Sequence, residues 1–272
     1  MAQFACVVPV HIAEALQGND VEEDLFGNYH LFLAHDVLEH PAEYRRICQR
    51  IRERFFDAFI IMDNSIVELG TAMQINDLME ACKITRANCV VAPDVMGNGP
   101  ETRSLTMEFI HDYCKWTDNN REEHQPSIMG VIQGETFSEA WKTFESYQSL
   151  RTHIRNIAVP RILVKQHGSR TPIVHALASK WIRPVHLLGF SDDLIDDITC
   201  ARMMNVRGID SAVPIRAGMK GIALSLDKYV DPGPRETYWT DAIDTNTKDA
   251  LVKQNIRSIR HWIGNKTKYT DL

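Results

Sequence analysis

The chain has 272 residues, 44% apolar and 24% charged, enough to bury a sizeable core without disulfide or metal staples. Its net charge of −6 argues against a generally basic nucleic-acid binder, and no apolar run is long enough to span a membrane. The start, MAQFACVVPVHIAEAL, lacks the basic opening and long apolar stretch of a secretory signal, so the expected location is cytoplasmic.

Short apolar runs alternate with amphipathic segments along the chain. Strands are expected at FACVVPV, YHLFLA, AFIIMD, CVVAPD, IMGVIQ, NIAVP, VHLLGF and VRGID. Several are almost continuously apolar, as in parallel strands buried on both faces. Helices are expected between them. PAEYRRICQRIRERFF opens on Pro41, suited to a first helical turn. INDLMEACKITRA has helical apolar spacing, and GPETRSLTMEFIHDYCKW starts at a Gly-Pro break preceded by a turn at MGNG. TFSEAWKTFESYQSL has Thr136 or Ser138 as cap, and SDDLIDDITCARMM has Ser191 as cap with a solvated acidic start. TKDALVKQNIRSIRHWI closes the series, after an irregular connection at DPGPRETYW. Eight such units predict an α/β fold, a single-domain (β/α)8 TIM barrel over residues 1–272. An open doubly wound sheet is the alternative, but the first turn has no G-x-G-x-x-G.

The six cysteines form no C-x-x-C and no zinc spacing, so reduced, mostly buried thiols are expected. Charge is unevenly distributed. From Arg151 to Arg183 there is no acid among seven basic residues, and the tail from Lys253 to Lys268 is similar. Either these stretches face a polyanion, or acids from elsewhere in the fold neutralise them.

In a (β/α)8 barrel the active site lies at the C-terminal ends of the strands. Three strands end in aspartate: Asp63, Asp94 and Asp210. The second strand adds His35 and Asp36, the fifth Gln133 and Gly134, the sixth Pro160 and Arg161. A single strand-end aspartate can simply cap a turn, but a closed barrel makes these residues converge. Converging carboxylates suit metal-assisted hydrolysis, or displacement at a sugar carbon with one carboxylate attacking and another moving the proton. A carboxylate beside a Gln amide also matches the donors and acceptors of a guanine-like base.

The chain resembles the tRNA-guanine transglycosylases and their DNA-acting relatives. Its DSAVPIR keeps Asp210, Pro214 and Arg216 at the offsets of the family's D-C-V-M-P-T-R loop. VHLLGFSDDLIDDI is similar to Y-L-M-G-V-G-x-P-x-D-L, and GVIQG to G-I-V-Q-G. APDVMGNGPETRSLTM resembles the base-reading segment, and MDNSIVELG stands where the family has D-S-G-G-F-Q. The resemblance spans roughly Asp57 to Gly221. There are departures. The paired glycines after Asp63 are missing, AVPRIL replaces a Gly-Gly-Leu motif, and the C-x-C-x-x-C…H zinc site is not found. These departures favour the compact branch that inserts 7-deazaguanines into DNA, the DpdA-type enzymes of bacteriophages and bacterial genomic islands.

The resemblance implies Asp210 as nucleophile and Asp63 as general acid/base. It implies a base pocket of Asn64, Ser65, Asp94, Gln133, Gly134, Val159 and Pro160. Contacts to flanking phosphates would come from Arg161, Lys165, Arg170 and Arg216, with a loop-bracing salt bridge as the alternative for Arg216. The reaction so implied needs no metal or redox cofactor. Its partners would be DNA (alternatively tRNA), guanine and a free 7-deazaguanine such as the 7-cyano form, with a helicase-like protein or a second copy as possible company. A phage-encoded chain would work in the host cytoplasm. Two other classes stay open: a non-catalytic nucleic-acid-binding subunit and a metal-dependent barrel hydrolase.

Overall fold

The computed structural model describes residues 2–16, 26–71, 73–191, 193–226 and 248–264. The connection around DPGPRETYW and the tail cations Lys266 and Lys268 lie outside the described residues. Eight parallel strands form one sheet: β1 (Gln3–Cys6), β2 (Tyr29–Leu33), β3 (Phe59–Asp63), β4 (Cys89–Val91), β5 (Ser127–Val131), β6 (Ile154–Pro160), β7 (Val185–Leu188) and β8 (Val206–Ser211). Hydrogen-bonded neighbours run β1-β8-β7-β6-β5-β4-β3-β2. Strands β1 and β2 lie against each other without such a ladder, so the sheet is a nearly closed (β/α)8 barrel. All eight strands expected from the sequence are present.

The strands owe their place to two-sided burial. In β3, Ile60, Ile61 and Met62 are each fully buried, and each such side chain contributes about 1.5–3 kcal/mol of apolar transfer. The surrounding helices are α1 (Val10–Leu16), α2 (Ala34–Glu39), α3 (Pro41–Arg54), α4 (Ile66–Leu69), α5 (Ile75–Thr85), α6 (Gly99–Asn119), α7 (Phe137–Ser149), α8 (Ile162–His167), α9 (Thr171–Lys180), α10 (Leu194–Ala201), α11 (Val213–Met219) and α12 (Lys248–Gly264). Thr136 caps α7 by accepting from Glu139 N at 3.2 Å, and Asn98 caps α6 through Glu101 N at 3.0 Å. Helix α12 buries a stripe of Val252, Ile256, Ile259 and Ile263, and packs on α11, β1 and α10.

Two expectations for α10 need correction. Its cap is Asp193, whose Oδ1 accepts from Ile195 N and Asp196 N at 3.0 Å, not Ser191. Its acidic start is not solvated: Asp197 is fully buried and Asp196 is 9% exposed. All six cysteines are free thiols and five are buried.

The barrel interior is partly polar. Asn156 Nδ2 on β6 donates to Cys89 Sγ on β4 at 3.3 Å and to Ser127 Oγ on β5 at 3.1 Å. Tyr29 on β2 and His186 on β7 meet at 2.8 Å. β2 and β7 are not sheet neighbours, so this bond crosses the interior.

Candidate active site

The parallel sheet brings every strand's C-terminal end to one face. Asp63 ends β3. Its Oδ2 accepts from Ser65 N at 2.9 Å, and Ser65 takes a left-handed conformation, φ 58°, at the start of α4. For a residue with a Cβ that conformation is uncommon and costs backbone strain. Ser65 Oγ accepts from His35 N at 3.3 Å. Asn64 Oδ1 accepts from Ile66 N at 2.9 Å, while its Nδ2 donates to Ala92 O at 3.0 Å and reaches Asp94 Oδ1 at 3.5 Å. Both Asn64 and Ser65 are buried, so their polar atoms brace the loop behind Asp63 and Asp94.

Asp94 sits beyond the end of β4, in the loop before α6. Gln133 Nε2 donates to its Oδ2 at 2.7 Å, and Gln133 Oε1 accepts from Gly97 N at 3.0 Å. The Gly97 turn, φ +74°, therefore positions the amide that faces the carboxylate. Gly134 has no room for a side chain: a Cβ there would lie 2.3 Å from Ala140 N. Its role is close packing of the β5 end onto α7.

Asp210 lies near the end of β8, 7% exposed. Its Oδ1 accepts two hydrogen bonds, from His186 Nε2 at 2.9 Å and from Gly189 N at 3.0 Å. Its Oδ2 has no hydrogen bond among the described residues. One oxygen is thus anchored and the other is available to a ligand. Neither His186 nor Tyr29 stood out in the sequence. The available signal was parity: His186 lies opposite Gly208, and Gly208 and Asp210 share one face of β8.

The electrostatics separate the carboxylates. Burial pushes the Asp63 carboxyl up to about 8, with Glu68, Asp94 and Asp210 adding to the rise against the Ser65 N–H. At neutral pH Asp63 therefore holds its proton. Burial also raises Asp94, opposed by its bonds from Gln133 and Asn64. A carboxyl that favours its proton, at the same end of the barrel as an aspartate with an unbonded oxygen whose charge it feels, is an arrangement able to separate acid and nucleophile roles. Among the described residues no group of three or more His, Cys, Asp or Glu is placed to hold a metal ion. Asp36 is bonded to Tyr44 Oη on α3.

No family model and no curated protein sequence matches the chain. The transglycosylase resemblance rests on the short motifs alone.

The remaining residues divide by burial. Pro160 is buried and shares the interior-facing parity of Asn156 on β6, which turns it toward the barrel axis at the strand's C-terminal end. Val159 has the opposite parity. It faces the helix layer rather than a base pocket, and its carbonyl accepts from Arg170 Nη1 at 3.1 Å. Arg161 and Lys165 are exposed beyond β6, with the Arg161 stem alongside Gly189. Arg170 is a correction. It is fully buried, with Nη2 on Asp197 Oδ1 at 2.5 Å and on Gly189 O at 2.9 Å, so it cannot meet a phosphate. Arg216 is 7% exposed within α11, which favours a role inside the fold over contact with a backbone outside it.

Proposed function

We propose that the chain is a base-exchange transglycosylase that replaces guanine in DNA with a 7-deazaguanine, such as the 7-cyano form. The observation that carries this reading is the state of Asp210, whose charge is felt at Asp63. Asp210 has one oxygen held by two donors and one without a bond among the described residues, and at the same end of the barrel Asp63 carries a carboxyl that favours its proton at neutral pH.

The chemistry balances in two halves. Asp210 Oδ2 attacks C1′ and the C1′–N9 bond breaks. The electron pair leaves with guanine, which takes the proton of Asp63. The incoming 7-deazaguanine gives its N9 proton to the Asp63 carboxylate and attacks C1′, displacing Asp210 with net retention. Asp94 and Gln133 suit the base edge: the carboxylate accepts from a ring N–H and an exocyclic amine, and the amide donates to a carbonyl. In the free chain these two side chains satisfy each other, so a base must replace that bond with a matching pair. Arg161 and Lys165 are exposed just beyond the C-terminal end of β6 and suit flanking phosphates. The target atom is hidden in a duplex, so the nucleotide must be flipped or single-stranded. Among the described residues no helix is long and apolar enough to cross a membrane.

The test is mass spectrometry of nucleosides from DNA and from tRNA of cells that express the chain and are supplied with 7-cyano-7-deazaguanine. The modified nucleoside should appear in DNA and vanish with Asp210→Ala. Its appearance in tRNA alone would move the substrate to tRNA, and its absence from both would remove the reading.

A further inference from the structure

Asp210 does not hold its own orientation. A carboxylate on a short side chain turns about its last bond, and either oxygen can then be the one offered to a ligand. Here two donors from different elements meet on the same oxygen: Gly189 N from the loop after β7 and His186 Nε2 from β7 itself. The imidazole is 1% exposed and its other nitrogen, Nδ1, lies 2.8 Å from Tyr29 Oη.

We propose that His186 is a positioning residue for Asp210: Tyr29 donates to His186 Nδ1, which fixes the proton on Nε2, and Nε2–H holds Oδ1 so that Oδ2 is left unbonded for a ligand. The proposal rests on the reading of Asp210 as the attacking group. The tautomer follows from the partners. A tyrosine hydroxyl can donate or accept, but a carboxylate only accepts, so a hydrogen on Nε2 is the arrangement that satisfies Asp210. With that single proton on Nε2 the ring offers Nδ1 as an acceptor, and Tyr29 completes the chain. Burial raises the Tyr29 hydroxyl well above its ordinary value, against the Arg207 guanidinium from β8 and together with Cys89 from β4 and Asp210, so it keeps its hydrogen. Gly208 makes room for this. It is the residue paired with His186, and the Tyr29 ring fills the space where its side chain would stand.

The test combines a spectroscopic and a kinetic readout on the full chain. Nitrogen-15 NMR of the histidine ring should find His186 protonated at Nε2 and bare at Nδ1, with Tyr29→Phe moving the Nδ1 resonance. His186→Leu should lower kcat for guanine exchange about 100-fold with KM for nucleic acid unchanged, because a misaimed nucleophile loses rate rather than binding. His186→Gln, whose amide can still donate to Oδ1, should recover to within about tenfold of the parent. A proton on Nδ1, with or without one on Nε2, a leucine variant within about threefold of the parent, or a glutamine variant as impaired as leucine would each overturn the proposal. Should the leucine variant fail to fold, the glutamine variant and the NMR assignment decide. A parent chain that exchanges no base in any nucleic acid defeats the functional reading instead, and the ring assignment still shows whether His186 donates to Asp210.

Discussion

The ring of Tyr29 stands where a side chain on Gly208 would have to go. A Cβ at Gly208 would lie 2.4 Å from Tyr29 Cε1 and 2.6 Å from Gln3 O. The second contact is backbone, so only the tyrosine can yield. Gly208→Ala should therefore push Tyr29 off His186 and destabilise the fold by about 1–3 kcal/mol, the usual cost of overpacking. Urea unfolding checks it, and an unchanged midpoint would show that the ring moves without penalty.

Asp63 makes a pH prediction with a definite sign. Its folded value, about 8, lies above the ordinary 3.8, so the fold favours the protonated carboxyl. That contribution is complete at pH below about 4 and is lost as pH rises through 8. Asp63→Asn cannot ionise and should gain stability over the parent as pH rises, by on the order of 1 kcal/mol or more at pH 9. Melting curves from pH 5 to 9 test it; a parallel offset at every pH would contradict the shift. On the proposed mechanism kcat/KM should also fall above about pH 8, where Asp63 loses the proton guanine requires.

Arg170 should behave as a structural residue. Arg170→Met leaves Asp197 buried without its cation, which should cost about 3–5 kcal/mol. Adding Asp197→Leu should restore a large part of that loss, a coupling that a double-mutant cycle measures directly. A single variant that melts normally but binds nucleic acid weakly would contradict the assignment. Because Arg170 also holds the Gly189 carbonyl, its loss should loosen the loop whose amide contacts Asp210.

Arg161 and Lys165 should show the opposite pattern. Replacing both by alanine should leave stability within about 0.5 kcal/mol, as expected for exposed side chains. If each meets one phosphate of a duplex, the slope of log affinity against log salt should fall by about 1.8. Filter binding at several salt concentrations measures it, and an unchanged slope would move the nucleic-acid path elsewhere.

The strands were legible because burial on both faces leaves continuous apolar runs such as FIIMD and VVAPD. The strand-end aspartates were legible because barrel topology fixes where strand ends meet. The region from Arg151 to Arg183 was harder. Read as a basic surface, it contains α8 and α9, separated by Gly168 at φ +76° and Ser169–Arg170. A run of cations does not reveal which one turns inward. The partner of Arg170 lies 27 positions later, in a DDLIDD segment that looks like an exposed helix start. Val159 fell on the wrong face because a pocket residue was inferred from motif position, while strand parity decides its direction. Tyr29 and His186 escaped notice because their contact crosses the barrel, and sequence separation of 157 residues carries no periodic signal.

Strands β1 and β2 meet without the ladder that laces every other pair of neighbours. The Tyr29–His186 bond runs from β2 to β7, past that unlaced edge, and so acts as a cross-tie for the barrel wall. On the proposed positioning role, a wider seam would stretch the tie and loosen the hold of the imidazole on Asp210. The set of Asp210 would then report how tightly the cylinder is drawn shut, with the Gly189 amide as its second anchor, and substitutions that relax the seam far from Asp210 would be felt there.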